Sequence, residues 1–149
     1  MSDKLTGGCL CGAVRYQITE KPGWSHNCHC SRCRKSSGSA FASNLFCSED
    51  SFTYTNGEEL LASFKVPDAD RFTHVFCSRC GSTLPFRNEA RRLVGVPMGT
   101  LDGDPGLTPR AHIFVDSKAP WFAITDVLPQ HAEGLSSSRG SCARRPTSG

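Results

Sequence analysis

Seven cysteines in three short motifs constrain this chain more than any other feature. Cys9 and Cys11 lie in GGCLCG, Cys28, Cys30 and Cys33 in CHCSRC, and Cys77 and Cys80 in FCSRCGS. No apolar run follows Met1, and no stretch approaches the length that spans a bilayer. The chain therefore reads as cytoplasmic, where thiols stay reduced and clustered cysteines serve as metal ligands or reactive groups before disulfides. The total of nine cysteines is odd, so no full set of pairs accounts for them.

The spacings have geometric meaning. Residues i and i+2 of an extended segment face the same side, so a C-x-C pair offers both sulfurs to one ion. A C-x-x-C pair bends around the ion through a tight turn, and Gly81 directly after Cys80 suits that turn. Tetrahedral thiolate coordination at about 2.3 Å is the geometry zinc prefers. Seven ligands make one closed site of four and one open site of three. Pairing the two isolated pairs places Cys9, Cys11, Cys77 and Cys80 in the closed site and leaves Cys28, Cys30 and Cys33 to themselves. The sequence also permits Cys28 and Cys30 to share an ion with Cys77 and Cys80.

At 149 residues the chain is long enough for one domain with a core. Its net charge of +3 is local. Residues 134–149 hold Arg139, Arg144 and Arg145 and no acidic residue, whereas the rest is formally neutral. That last segment, rich in Ser, Gly and Arg, reads as a disordered tail behind a domain over 1–133. A neutral folded part argues against nucleic acid as a partner, because phosphate affinity needs clustered Lys and Arg.

The folded part is predicted to be mostly β. In 13–19, Val14, Tyr16 and Ile18 alternate with Arg15 and Gln17, the period of a half-buried strand. Further candidates rich in aromatic and β-branched residues are 39–46, 51–55, 61–66, 73–76, 82–86, 93–98 and 111–115. Asn56-Gly57, Pro67-Asp68 and the DGDPG run at 102–106 mark turns between them. No long helical periodicity is present. One short helical turn is expected through SRCRKSSG, after the triple cysteine motif.

In order and spelling, GGCLCGAVRY, CHCSRCRKSSGS and FCSRCGS, with APW near residue 120 and LPQH at 128–131, resemble the glutathione-dependent formaldehyde-activating enzyme family. That family also includes centromere protein V, and the resemblance runs from about residue 6 to residue 131. It implies two antiparallel sheets leaning together like a tent. It also implies a structural zinc on Cys9, Cys11, Cys77 and Cys80, and a more labile zinc on Cys28, Cys30 and Cys33. The implied activity is carbon–sulfur lyase chemistry of the S-(hydroxymethyl)glutathione synthase type, with glutathione adding to formaldehyde.

A zinc ion held by three thiolates carries net negative charge and polarises a carbonyl poorly. Holding a fourth thiol as thiolate suits it better. Cys28, Cys30 and Cys33 are thus the expected catalytic residues as well as ligands, with a small thiol and a small carbonyl compound as partners. No general acid stands out. His29, between two metal-facing cysteines, is expected to face away from them in a structural or exposed role. His26, His74, His112 and His131 read as ordinary surface or core residues. Arg32, Arg34 and Lys35 form either a charged surface run or a binding site for carboxylates. Trp121 reads as a pocket or core residue, Cys47 as a small core hydrophobe and Cys142 as a free thiol in the tail. A non-catalytic zinc module that binds a protein or nucleic acid is the alternative function class.

Overall fold

The computed structural model describes residues 4–135, and Cys142 and the segment 136–149 lie outside them. The described chain is mostly β, as expected. Its strands form two larger sheets and a two-stranded hairpin.

The first sheet is antiparallel, with β2 (Arg15–Ile18) between β1 (Leu5–Gly8) and β5 (Phe52–Asn56). The second has five strands, in the order β10 (His112–Ile113), β3 (Trp24–Cys28), β4 (Ala42–Ser48), β9 (Leu93–Pro97) and β8 (Phe86–Asn88). It is mixed, because β10 pairs parallel with β3 while the other pairs are antiparallel. The third is a hairpin of β6 (Leu61–Lys65) and β7 (Thr73–Cys77).

The alternation along β2 does what its period requires. Tyr16 and Ile18 turn inward and pack with Leu45, Cys47, Phe52, Val94 and Val96, joining the first sheet to the five-stranded one. Cys47 is the small core hydrophobe it reads as. A second cluster ties the hairpin to the start of the chain, with Val14 and Leu84 packed around Cys9 and Cys77. The third gathers Cys28, Cys30 and Cys33 with Ile113 and Phe114, and Leu135, just past the expected domain boundary, packs against it.

The one α-helix among the described residues, α1, spans Ser31–Ser37, where a short turn is expected. The Cys30 side chain caps its start by accepting the Cys33 backbone N–H at 3.3 Å, and Gly38 closes its end. Among the described residues, no helix is long and apolar enough to cross a membrane.

Candidate metal centres and the adjoining cavity

The fold divides the seven motif cysteines four and three. Cys9 follows β1, Cys11 sits in the turn toward β2, Cys77 ends β7 and Cys80 lies in the turn beyond it. Their sulfurs all lie within 4.8 Å of one another. A regular tetrahedron with bonds of about 2.3 Å puts its sulfurs about 3.8 Å apart. The separations of 3.5 Å between Cys9 and Cys11 and 4.0 Å between Cys11 and Cys77 bracket that value, so the donor set fits a zinc-sized ion. The Cys28 and Cys30 sulfurs are not drawn into this group.

Two of the four thiols, Cys80 and Cys9, are held below their ordinary values, whereas Cys11, despite the Ala13 backbone N–H, is pushed up to about 11 by the Cys9 sulfur beside it. The Ser82 hydroxyl, 3.2 Å from the Cys80 sulfur, and the Ser82 backbone N–H hold the Cys80 thiol down at about 5. Burial pushes the Cys9 thiol up, but hydrogen bonding, led by the Val14 backbone N–H at 3.3 Å, leaves it below its ordinary value. Gly81 carries the turn at φ +76°, a conformation that a side chain disfavours.

The second group comes from one continuous segment. Cys28 ends β3, Cys30 caps α1 and Cys33 lies in the first helical turn. All three are buried, and their sulfurs also lie within 4.8 Å of one another. Three sulfurs at this spacing suit a tetrahedral ion with one position left over.

Cys28 and Cys33 line a cavity of about 270 Å³. Its walls come from α1, β4, β7, β8 and the loop after β9, and most of their large side chains are aromatic. His26, two residues before Cys28, lines it too, as the period of β3 predicts for positions on one face. The Trp24 indole N–H donates to His26 Nδ1 at 3.1 Å, and burial lowers the imidazole to about 4. The ring is therefore neutral near pH 7 with its hydrogen on Nε2. His74 and Arg71 line the same cavity. The sequence signal that marks His26 is its even spacing from Cys28, whereas nothing local marks His74.

His29 faces away from the sulfurs, as expected, yet it is fully buried rather than exposed. Its Nε2 lies 2.7 Å from His112 Nδ1, and His112 Nε2 lies 2.9 Å from Asp126. Burial first, with the nearby positive charges of Lys118 and Arg34 adding to it, lowers His29 to about 4. The His112 hydrogen bond holds Asp126 below its ordinary value. No motif announces this chain, because its members are 83 and 14 positions apart.

Two other expectations change. Trp121 is 72% exposed and lines neither the cavity nor the core, whereas Phe122 beside it packs edge to face with Phe41 at 5.4 Å between centroids. The run after the triple is not uniformly solvated, since Arg32 is buried, Arg34 half-buried and only Lys35 exposed. This is the pattern of a helix laid against the protein.

Comparison with known proteins gives the family. The family model described as glutathione-dependent formaldehyde-activating enzyme matches residues 4–117. A Halomonas elongata protein named "Putative glutathione-dependent formaldehyde-activating enzyme" is 33% identical over 128 residues, covering 80% of each chain. A crystal structure of a Rhodobacter sphaeroides protein is similar with a TM-score of 0.54 and 27% identity, over 66% of this chain and 89% of that one. The chain belongs to the glutathione-dependent formaldehyde-activating enzyme family.

Proposed function

We propose that the protein is a zinc-dependent carbon–sulfur lyase-type enzyme of the cytoplasm. It joins a thiol such as glutathione to formaldehyde or another small carbonyl compound, or reverses that addition. The observation that carries this reading is that two members of the three-sulfur cluster, Cys28 and Cys33, form part of the wall of a partly open cavity. A purely structural site has no need of such an opening.

In this reading the domain over 1–133 is a β-tent whose start and middle are joined by a structural zinc on Cys9, Cys11, Cys77 and Cys80. Cys28, Cys30 and Cys33 hold the second, more labile zinc. A zinc ion held by those three sulfurs would supply Lewis acidity that favours thiolate over thiol in a bound partner.

The protein's own groups do the rest. β3 and the cap of α1 fix the three sulfurs, so little reorganisation is left to the reaction. The aromatic walls exclude water from the reacting atoms. His26, neutral with its hydrogen on Nε2, donates that hydrogen bond to the carbonyl oxygen as charge develops there. The thiol proton ends on that oxygen.

The test is turnover of glutathione with formaldehyde by zinc-loaded wild type and Cys30→Ser. The reading expects at least about a hundredfold loss in the variant, with an unchanged far-UV spectrum. A folded Cys30→Ser protein with full turnover would overturn it.

A further inference from the structure

The cavity beside the triple is larger and more apolar than formaldehyde requires. Formaldehyde has two heavy atoms and no substituent for a wall to touch. A closed apolar cavity of roughly 150 Å³ already binds benzene, and this one measures about 270 Å³. Phe41, Phe46, Phe72, Val75, Leu84 and Phe86 line it. These residues come from separate strands and loops, and Phe86 and Phe46 meet edge to face at 6.4 Å between centroids. The apolar wall is therefore a built feature rather than one stray side chain.

The polar part of the lining is as informative. Arg71 brings a permanent positive charge, and among the described residues no Asp or Glu lines the cavity. The ammonium group of glutathione would find no counter-charge inside, and desolvating it unpaired is costly. The tripeptide backbone thus belongs at the mouth, with only its sulfur reaching Cys28 and Cys33. The apolar space is left for the other reactant.

We propose that the carbonyl substrate is an aldehyde with an apolar substituent, linear alkyl of about four to six carbons or aryl-methyl in size. The substituent lies among the six apolar side chains, and the carbonyl carbon lies beside the triple. The proposal rests on the thiol–carbonyl reading above and deepens it. In the reaction the sulfur–carbon bond forms as the carbonyl π bond opens. The thiol proton goes to the former carbonyl oxygen, giving a hemithioacetal, and nothing is oxidised or reduced. The reverse reaction releases thiol and aldehyde.

Acetaldehyde, butanal and hexanal have nearly equal carbonyl reactivity, so their comparison isolates the substituent. Each buried methylene is worth about fourfold. With zinc-loaded full-length protein and fixed glutathione, kcat/KM for hexanal should exceed that for acetaldehyde by at least about tenfold, with phenylacetaldehyde similarly favoured. A flat series in a protein that turns over formaldehyde would overturn the apolar substituent and leave the proposed function standing. Absence of turnover with every aldehyde would overturn both.

A second readout needs no chemistry. The alcohol 2-phenylethanol, which has no carbonyl, should shift the methyl resonances of Val75 and Leu84, and no shift at millimolar concentration would contradict the proposal. Two variants shrink the space. Val75→Trp fills it from β7. Gly99→Phe adds a side chain where a β-carbon meets nothing within 4 Å. The hexanal preference should fall toward one in either folded variant, and its persistence in both would place the substituent elsewhere.

Discussion

His29 donates from Nε2 to His112 Nδ1 across 2.7 Å, and the direction of that bond is set at the far end. Asp126 accepts from His112 Nε2, so that nitrogen carries the hydrogen and Nδ1 is left as an acceptor. The chain pins the segment between Cys28 and Cys30 from the side opposite the sulfurs. His112→Phe would leave the buried His29 N–H without its acceptor, at a cost of about 1–3 kcal/mol. Asp126→Asn keeps an acceptor oxygen and should cost much less. Urea unfolding of the zinc-loaded proteins separates the two, and equal losses would contradict the chain.

Gly57 makes a sharper prediction about the backbone. It sits at φ +74°, and a β-carbon there would stand 2.1 Å from the Ala13 carbonyl oxygen. Gly38, at the end of α1, shares the positive φ but opens onto free space. Gly38→Ala should cost roughly 1–2 kcal/mol from conformation alone. Gly57→Ala adds a backbone clash and should cost about 3 kcal/mol or more. Thermal unfolding tests the ranking, and the reverse order would show that the turn around Asn56-Gly57 relaxes freely.

Asp102 ties the loop after β9 to the first sheet. Arg15 and Thr6 donate to its carboxylate, and these bonds lower it to about 2, the Arg15 contact first. A folded value below the ordinary 3.8 means that the stabilisation is fully present above about 4 and is lost as pH falls through about 2. Both side chains are more than a third exposed, so solvent limits the pair to about 0.2–1 kcal/mol. The stability gap between wild type and Asp102→Asn should hold constant from pH 8 to about 5 and narrow only below about 4. Closure of the gap above pH 5 would contradict the assignment.

The sequence showed its two cysteine clusters because the spacing of candidate ligands is local, written within a few residues of each cysteine. Strands with apolar alternation were legible for the same reason, as at Tyr16 and Ile18. β3 was not, because it buries Ser25, His26 and Asn27, so no apolar rhythm marks a strand that brings Cys28 to the cavity. β1 was hidden by Gly7, where a β-carbon would strike the Tyr16 ring and the Thr100 carbonyl. The parallel pairing of β10 with β3 and the His29–His112 contact span over 80 positions. Only the closed fold makes those contacts visible.

The central claim is that the two cysteine clusters do different work. The direct measurement is zinc content per chain, with added zinc, for wild type, Cys30→Ser and Cys77→Ser, each titrated with glutathione. The account predicts two zinc ions in wild type, matching the two clusters, and glutathione binding at one of them. Cys30→Ser should stay folded with one zinc and bind no glutathione. Cys77→Ser should lose folding stability along with its metal, because a structural zinc site carries folding free energy. One tightly held zinc in both wild type and Cys30→Ser, with identical glutathione binding, would contradict the division of labour.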